Sequence, residues 1–264
     1  MKKQIVTACA LIASVAAFAT SVESSNTFGV LKVASAATAD AGAQLIIPVP
    51  WENVGGGGVV ATNYVLATGR TVGDKLYWYD SSLQTPAYKV WSISTSGGPW
   101  TPVTTYKINE GLTSITPKNG ESIARGQAVI LELQSGSTES VYLSGQYNES
   151  KVYVPIYGPT EEDAAKLSRV STLIAPSTAS SVNVNDLKFY TCANDIYTEI
   201  TNKSVLKNDY IRLADGTTFT YSATLSSWYK EGDNGVPVMT DLTIPAGQGA
   251  WYSRANAGTV YVEW

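Results

Sequence analysis

One segment of this chain occurs twice. Ile123-Ala-Arg-Gly126-Gln127 is echoed by Ile244-Pro-Ala-Gly247-Gln248, and each runs into an apolar, aromatic stretch. Val141-Tyr142 is matched in turn by Val260-Tyr261, and Leu45-Ile-Ile-Pro48-Val49 by Val152-Tyr-Val-Pro155-Ile156. An echo at that separation constrains the architecture to two units of one plan. The boundary falls near 146, giving β domains over 29–146 and 147–264. Each has about 120 residues, enough for an ordinary core without covalent staples.

Short apolar runs with turn punctuation fill both units. Gly29–Val33, Gln44–Val49, Lys75–Tyr79, Tyr88–Ile93, Ala128–Leu133 and Ser140–Ser144 have the length and the β-branched or aromatic content of strands. Lys151–Ile156, Leu187–Cys192, Tyr210–Leu213, Thr218–Ser222, Gly249–Ser253 and Thr259–Trp264 form the second set. Pro48 and Pro155 cannot donate to a ladder, so their strands belong at sheet edges or bulges. One helix is expected, starting at Thr160 as N-cap with Glu161 and Glu162 against its dipole and Ala164, Leu167 and Val170 at helical spacing. Gly55–Gly58 stands at the equivalent place of the first unit and is too flexible to begin a helix. The fold class is therefore all-β: two tandem β-sandwich or barrel-like domains, with one short helix in the second.

Lys2 and Lys3 precede an apolar stretch from Ile5 to Phe18 that ends in small residues, the pattern of a secretory signal over 1–19. Residues 20–28 read as a leader. Cleavage would remove Cys9 and leave Cys192 alone, which excludes an internal disulfide and suits a small buried side chain. It would also leave 16 basic against 22 acidic side chains, a balance that disfavours nucleic acid. No further apolar run is long enough for a transmembrane helix. The expected location is the periplasm, the cell envelope or the extracellular space.

The order of a strand ending in proline, the Gly73-Asp74-Lys-Leu-Tyr77 segment, a Trp-bearing hairpin around Trp91 and Trp100, and the Gly126-Gln127 strand resembles a repeat in uncharacterised exported proteins of verrucomicrobial type. The resemblance spans nearly the whole chain after the signal. The second unit departs from it with Asn208-Asp209 where glycine would precede aspartate. It implies export and a β-rich repeat, and carries over no activity and no catalytic residue.

The chain has no histidine, which removes imidazole-activated nucleophiles and imidazole zinc sites together. Carboxylates remain, and a glycosidase built on two acids is the enzyme alternative, with Asp74 and Asp209 at matched strand starts. Short acidic side chains before a strand are first of all turn formers. Glu132 alternates with leucines and should face solvent. Asn194-Asp195 with Glu199, and Asp233-Asn234, concentrate oxygen atoms without the spacing of a calcium loop. No metal and no cofactor is expected.

With 7 Trp and 16 Tyr against 4 Phe, the chain favours rings with a polar handle, which suit half-wet surfaces and stack on sugars. Alternation in Leu76-Tyr77-Trp78-Tyr79 sends Tyr77 and Tyr79 to one face. Trp100, Trp228 and Tyr229 follow turns at matched places, where cross-strand anchoring competes with ligand contact. These five are the candidate ligand-binding residues. The expected function is a non-catalytic exported or envelope protein that binds a glycan or envelope component. The alternatives are an outer-membrane β-barrel, suggested by the terminal Val260-Tyr-Val262-Glu-Trp264, and the two-acid carbohydrate enzyme.

Overall fold

The structure is a computed structural model that describes residues 28–34, 43–52, 59–60, 62, 65, 70–80, 87–103, 107–109, 112–113, 116–117, 121–134, 140–146, 150–166, 168–176 and 180–264. The expected signal, the leader up to residue 27 and Gly55–Gly58 lie outside these residues. Strands in the first part of the chain are β1 (Phe28–Ala34), β2 (Ala43–Pro48), β3 (Val59–Val60), β4 (Lys75–Asp80), β5 (Ala87–Ile93), β6 (Trp100–Pro102), β7 (Lys107–Asn109), β8 (Leu112–Thr113), β9 (Ser122–Ile123), β10 (Ala128–Leu133) and β11 (Ser140–Gln146). The rest begins with β12 (Tyr153–Ile156), helix α1 (Glu161–Ala165), β13 (Val170–Ile174), β14 (Val182–Asn183), β15 (Lys188–Ala193) and β16 (Ile196–Glu199). It continues with β17 (Tyr210–Arg212), β18 (Thr218–Ser222), β19 (Ser227–Glu231), β20 (Pro237–Val238), β21 (Thr243–Ile244), β22 (Ala250–Arg254) and β23 (Val260–Glu263).

The fold is all-β, with antiparallel pairing throughout and a sandwich-like arrangement of open sheets. The barrel-like half of the expectation is corrected, because no sheet of the described residues closes on itself. A five-stranded sheet runs β2-β10-β4-β5-β6, and a six-stranded sheet runs β13-β22-β17-β18-β19-β20. Their first five places follow one connectivity. Beside them, β1 pairs with β11 as β12 pairs with β23, and the short pair β3-β9 matches β14-β21.

This topology corrects one match made on sequence. Leu45-Ile-Ile-Pro48 occupies the place of Thr172-Leu-Ile-Ala175, the end of β13 and the residue after it, whereas Pro155 sits in β12, the counterpart of β1. Both proline strands are nevertheless sheet edges, as a missing N–H requires. The helix is also shorter than expected. Thr160 Oγ1 accepts the Asp163 N–H at 3.1 Å as its cap, but the helix ends at Ala165 and Val170 opens a strand. Five residues hold too few hydrogen bonds to propagate against β-branched Val170 and Thr172.

Strand alternation divides the apolar residues between three cores. On one face of the five-stranded sheet Leu76, Trp78, Trp91, Ile93, Leu131 and Trp100 pack with Trp51 and Ile123. The six-stranded and β12-β23-β15-β16 sheets enclose Phe189, Val262, Phe219, Trp228 and Tyr252. The third core joins the two larger sheets through Ile46, Tyr77, Val90, Ala128 and Ile130 on one side and Leu173, Ala175 and Trp251 on the other. Each large side chain removed from water in this way contributes roughly 1.5–3 kcal/mol.

The large sheets come into backbone contact where they meet. Ala175 N–H donates to Gly126 C=O and Gly249 N–H to Ile46 C=O, both at 2.9 Å, and Gln127 bridges Ile174. A Cβ on Gly249 would stand 2.7 Å from the Ile46 methyl and 2.8 Å from the Ala128 Cβ, so glycine here allows the close approach.

Candidate functional site

The five candidate residues are not brought together. Trp100 and Trp228 do take matched places, opposite Ile93 and Tyr221 respectively, but both are core residues, 6% and 1% exposed. Trp100 Nε1 donates to the Val65 carbonyl at 2.6 Å. Tyr77 and Tyr79 share a face as alternation requires, and that face is covered by the other large sheet. Tyr77 is buried, while Tyr79 is half-buried against Tyr88 at 4.7 Å and Trp251 at 5.4 Å between ring centroids. Burial pushes the Tyr88 hydroxyl up to about 12, with Tyr79 adding to it. Tyr229 is half-buried on β19, turned by strand alternation to the face opposite its neighbour Trp228.

Asp74 and Asp209 are both fully buried turn residues. Asp74 accepts from the Thr71 and Gln134 amides, and Asp209 from the Ala255 amide, Tyr252 Oη, Arg254 Nη1 and Asn256 Nδ2. Burial raises the Asp209 carboxyl above its ordinary value, against the pull of the Ala255 amide and Arg254. Both carboxylates are committed to holding strands in place. Glu132, expected in solvent, is half-buried on the face between the large sheets. It accepts from Lys75 Nζ at 2.8 Å and Tyr77 Oη at 3.0 Å. Burial works to raise its carboxyl, and these bonds outweigh burial to bring it below the usual value.

Two further features are structural in the same way. Buried Lys89 bonds Asp80 at 2.9 Å and Glu121, and lies 4.5 Å from the centre of the Trp78 ring. Such a pair costs desolvation and is held by the fit of its partners. Asn194 and Asp195, weighed as metal ligands, are the two central residues of the β15–β16 hairpin, with φ of 50° and 62°. Those angles make a tight hairpin turn. No cluster of three or more acidic or cysteine side chains suited to a metal occurs among the described residues. No helix among them is long and apolar enough to cross a membrane.

What the structure does assemble is a tyrosine face on the β12-β23-β15-β16 sheet. Opposed residues across each ladder share a face, so Val154, Phe189 and Val262 point to the core. Alternation turns Tyr153, Tyr190, Cys192, Tyr197, Tyr261 and Glu263 to the other side. The Tyr153 and Tyr197 rings stack at 4.0 Å and 9°, and Tyr190 and Tyr261 meet them edge-on at 5.0 Å and 5.1 Å. Tyr197 is 37% exposed and Tyr153 and Tyr261 are half-buried, whereas Tyr190 lies beneath at 7%.

Glu263 anchors one corner, accepting from Tyr190 Oη at 2.7 Å and Lys151 Nζ at 2.9 Å. Burial acts to raise the Glu263 carboxyl, but those bonds prevail and hold it below its ordinary value. The bond to Glu263 and burial together raise the Tyr190 hydroxyl strongly. Cys192, expected to be buried, is half-buried on this face across from Tyr197.

Sequence alone does not single these residues out, because Asn194, Asp195 and Glu199 give the β16 segment the look of an oxygen-rich loop. The usable signal was the placement of Tyr153, Tyr190 and Tyr261 in alternation with Val154, Phe189 and Val262. No protein-family model, curated protein or solved structure matches the chain.

Proposed function

We propose that this chain is an exported, non-catalytic binding protein that presents the tyrosine face of Tyr153, Tyr197 and Tyr261, backed by buried Tyr190, to a glycan of the cell envelope or its surroundings. The observation that carries this reading is the face itself: three partly exposed tyrosine rings packed over the buried Tyr190, on the side of the sheet opposite the core. Ring faces with hydroxyl rims stack on the C–H surfaces of sugars while their polar ends stay wet.

The scaffold supports the same reading. The two halves derive from one duplicated unit, as the shared strand order of the large sheets and the paired turns at Gly126 and Gly247 suggest. From Val60 to Asp74 the first half takes 14 residues, and from Asn183 to Asp209 the second takes 26. The extra length carries the β15–β16 hairpin, which contributes Tyr190 and Tyr197. Insertions at the surface of a rigid scaffold are common carriers of binding residues. The apolar N-terminal stretch supports export, and the lack of histidine together with the committed state of Asp74 and Asp209 supports a non-catalytic role.

A glycan array probed with the protein and with Tyr197→Ala tests this. Binding by the former and loss of signal in the folded variant is expected. An array on which the protein binds nothing, or releases cleavage products, refutes the reading.

A further inference from the structure

Resting on that reading, we propose that the glycan taken by the tyrosine face is uncharged. The charged groups around the rings come as neighbours of opposite sign. Lys151 is ion-paired to Glu263, and Lys188 lies directly across the ladder from the same Glu263. Glu199 lies across from Tyr190, and Asp195 closes the hairpin beside Tyr197. Two lysines thus stand against three carboxylates, and Glu263 keeps its charge because its folded carboxyl is held below the ordinary value.

A polyanion such as a uronate or phosphate polymer needs a surplus of positive charge, best supplied by the arginine fork that grips carboxylate and phosphate with two bonds. The sheet face offers neither: β12, β15, β16 and β23 contain no arginine, and its lysines already neighbour carboxylates. The chain as a whole carries a formal charge of −4, which repels polyanions at longer range. Stacking of sugar rings on tyrosine survives salt, because it does not depend on net charge.

The test is affinity electrophoresis and titration calorimetry of the full protein against neutral β-glucan, mannan and xylan beside polygalacturonate, alginate and heparin, at low and high sodium chloride. The expected result is binding to a neutral polymer that changes by less than about twofold between 50 and 500 mM salt, and no retardation by polyanions. Binding confined to a polyanion and lost in salt overturns the neutral class while leaving a glycan-binding face in place. Binding to none of the six removes the glycan reading and this inference with it.

Discussion

Asp74 and Asp209 accept the same hydrogen bond at the same place in two sheets: Asp74 Oδ1 from the Gln134 amide at 2.7 Å, and Asp209 Oδ1 from the Ala255 amide at 2.8 Å. Each donor is the first residue beyond its strand, Gln134 after β10 and Ala255 after β22. Main-chain bonds to the neighbouring strand repeat too: the Asp74 and Asp209 carbonyls accept from the Ile93 and Tyr221 amides, and the Gly73 and Asn208 amides donate back to the Ile93 and Tyr221 carbonyls. The preceding residues, Gly73 and Asn208, both have positive φ, 95° and 65°. Asparagine tolerates that region better than other side chains, so the departure from glycine preserves the turn.

Replacing either aspartate by alanine removes a buried acceptor and leaves amides unpaired. Asp209→Ala also strands the Arg254 guanidinium, 4% exposed in its side chain. We expect about 3–5 kcal/mol lost for Asp209→Ala, and a smaller loss of about 1–3 kcal/mol for Asp74→Ala, from urea unfolding curves. A surface-like cost below about 0.5 kcal/mol for both would contradict their structural role.

The matched tryptophans separate packing from hydrogen bonding. Trp100 Nε1 has the Val65 carbonyl, whereas Trp228 Nε1 is buried with no partner among the described residues. Both lose volume on change to phenylalanine. Trp100→Phe additionally leaves a carbonyl unpaired, and should cost about 1 kcal/mol more than Trp228→Phe in thermal or urea unfolding. Equal costs would show that the Val65 bond contributes nothing.

Gly249→Ala probes the contact of the two large sheets. The added methyl meets Ile46, Ala128 and the Ile174 carbonyl at 2.7 to 3.0 Å. Overpacking of this kind costs roughly 1–3 kcal/mol. We expect that loss together with a change in Trp251 fluorescence, as Trp251 lies in the same core. Unchanged stability would mean that the sheets approach less closely than 2.9 Å backbone bonds imply.

Glu263 gives the tyrosine corner a pH dependence with a definite sign. Its folded carboxyl lies below the ordinary value of 4.5 because the Tyr190 and Lys151 bonds outweigh burial. Its contribution is therefore present above that ordinary value and is lost as pH falls through the depressed folded value. The stability gap between the protein and Glu263→Gln should narrow as pH is lowered from about 6 to about 2. A gap that widens on acidification would contradict the assignment.

Strand existence was legible because alternation and β-branched content act locally, and Tyr77 and Tyr79 do share a face with Leu76 and Trp78 on the other. What covers a face is not local. The Tyr77 side is closed by Leu173 and Trp251, more than 90 residues away, and no periodicity in residues 75–80 encodes that. The tyrosine face escaped for the opposite reason: its rings come from four strands, and β16 is a four-residue edge strand whose turn, Asn194-Asp195, looks like an oxygen cluster in sequence. β13 was hidden because Thr160 and Ala164 announce a helix whose continuation β-branched residues then refuse.

The most direct measurement is the affinity of the protein for a neutral β-glucan, by titration calorimetry, beside that of Tyr153→Ala and Tyr197→Ala. Loss of one stacked ring should weaken binding about tenfold or more while the melting temperature moves by only a few degrees, since Tyr197 is 37% exposed and lies outside the core. Undiminished affinity in both folded variants would contradict the tyrosine face as the binding site.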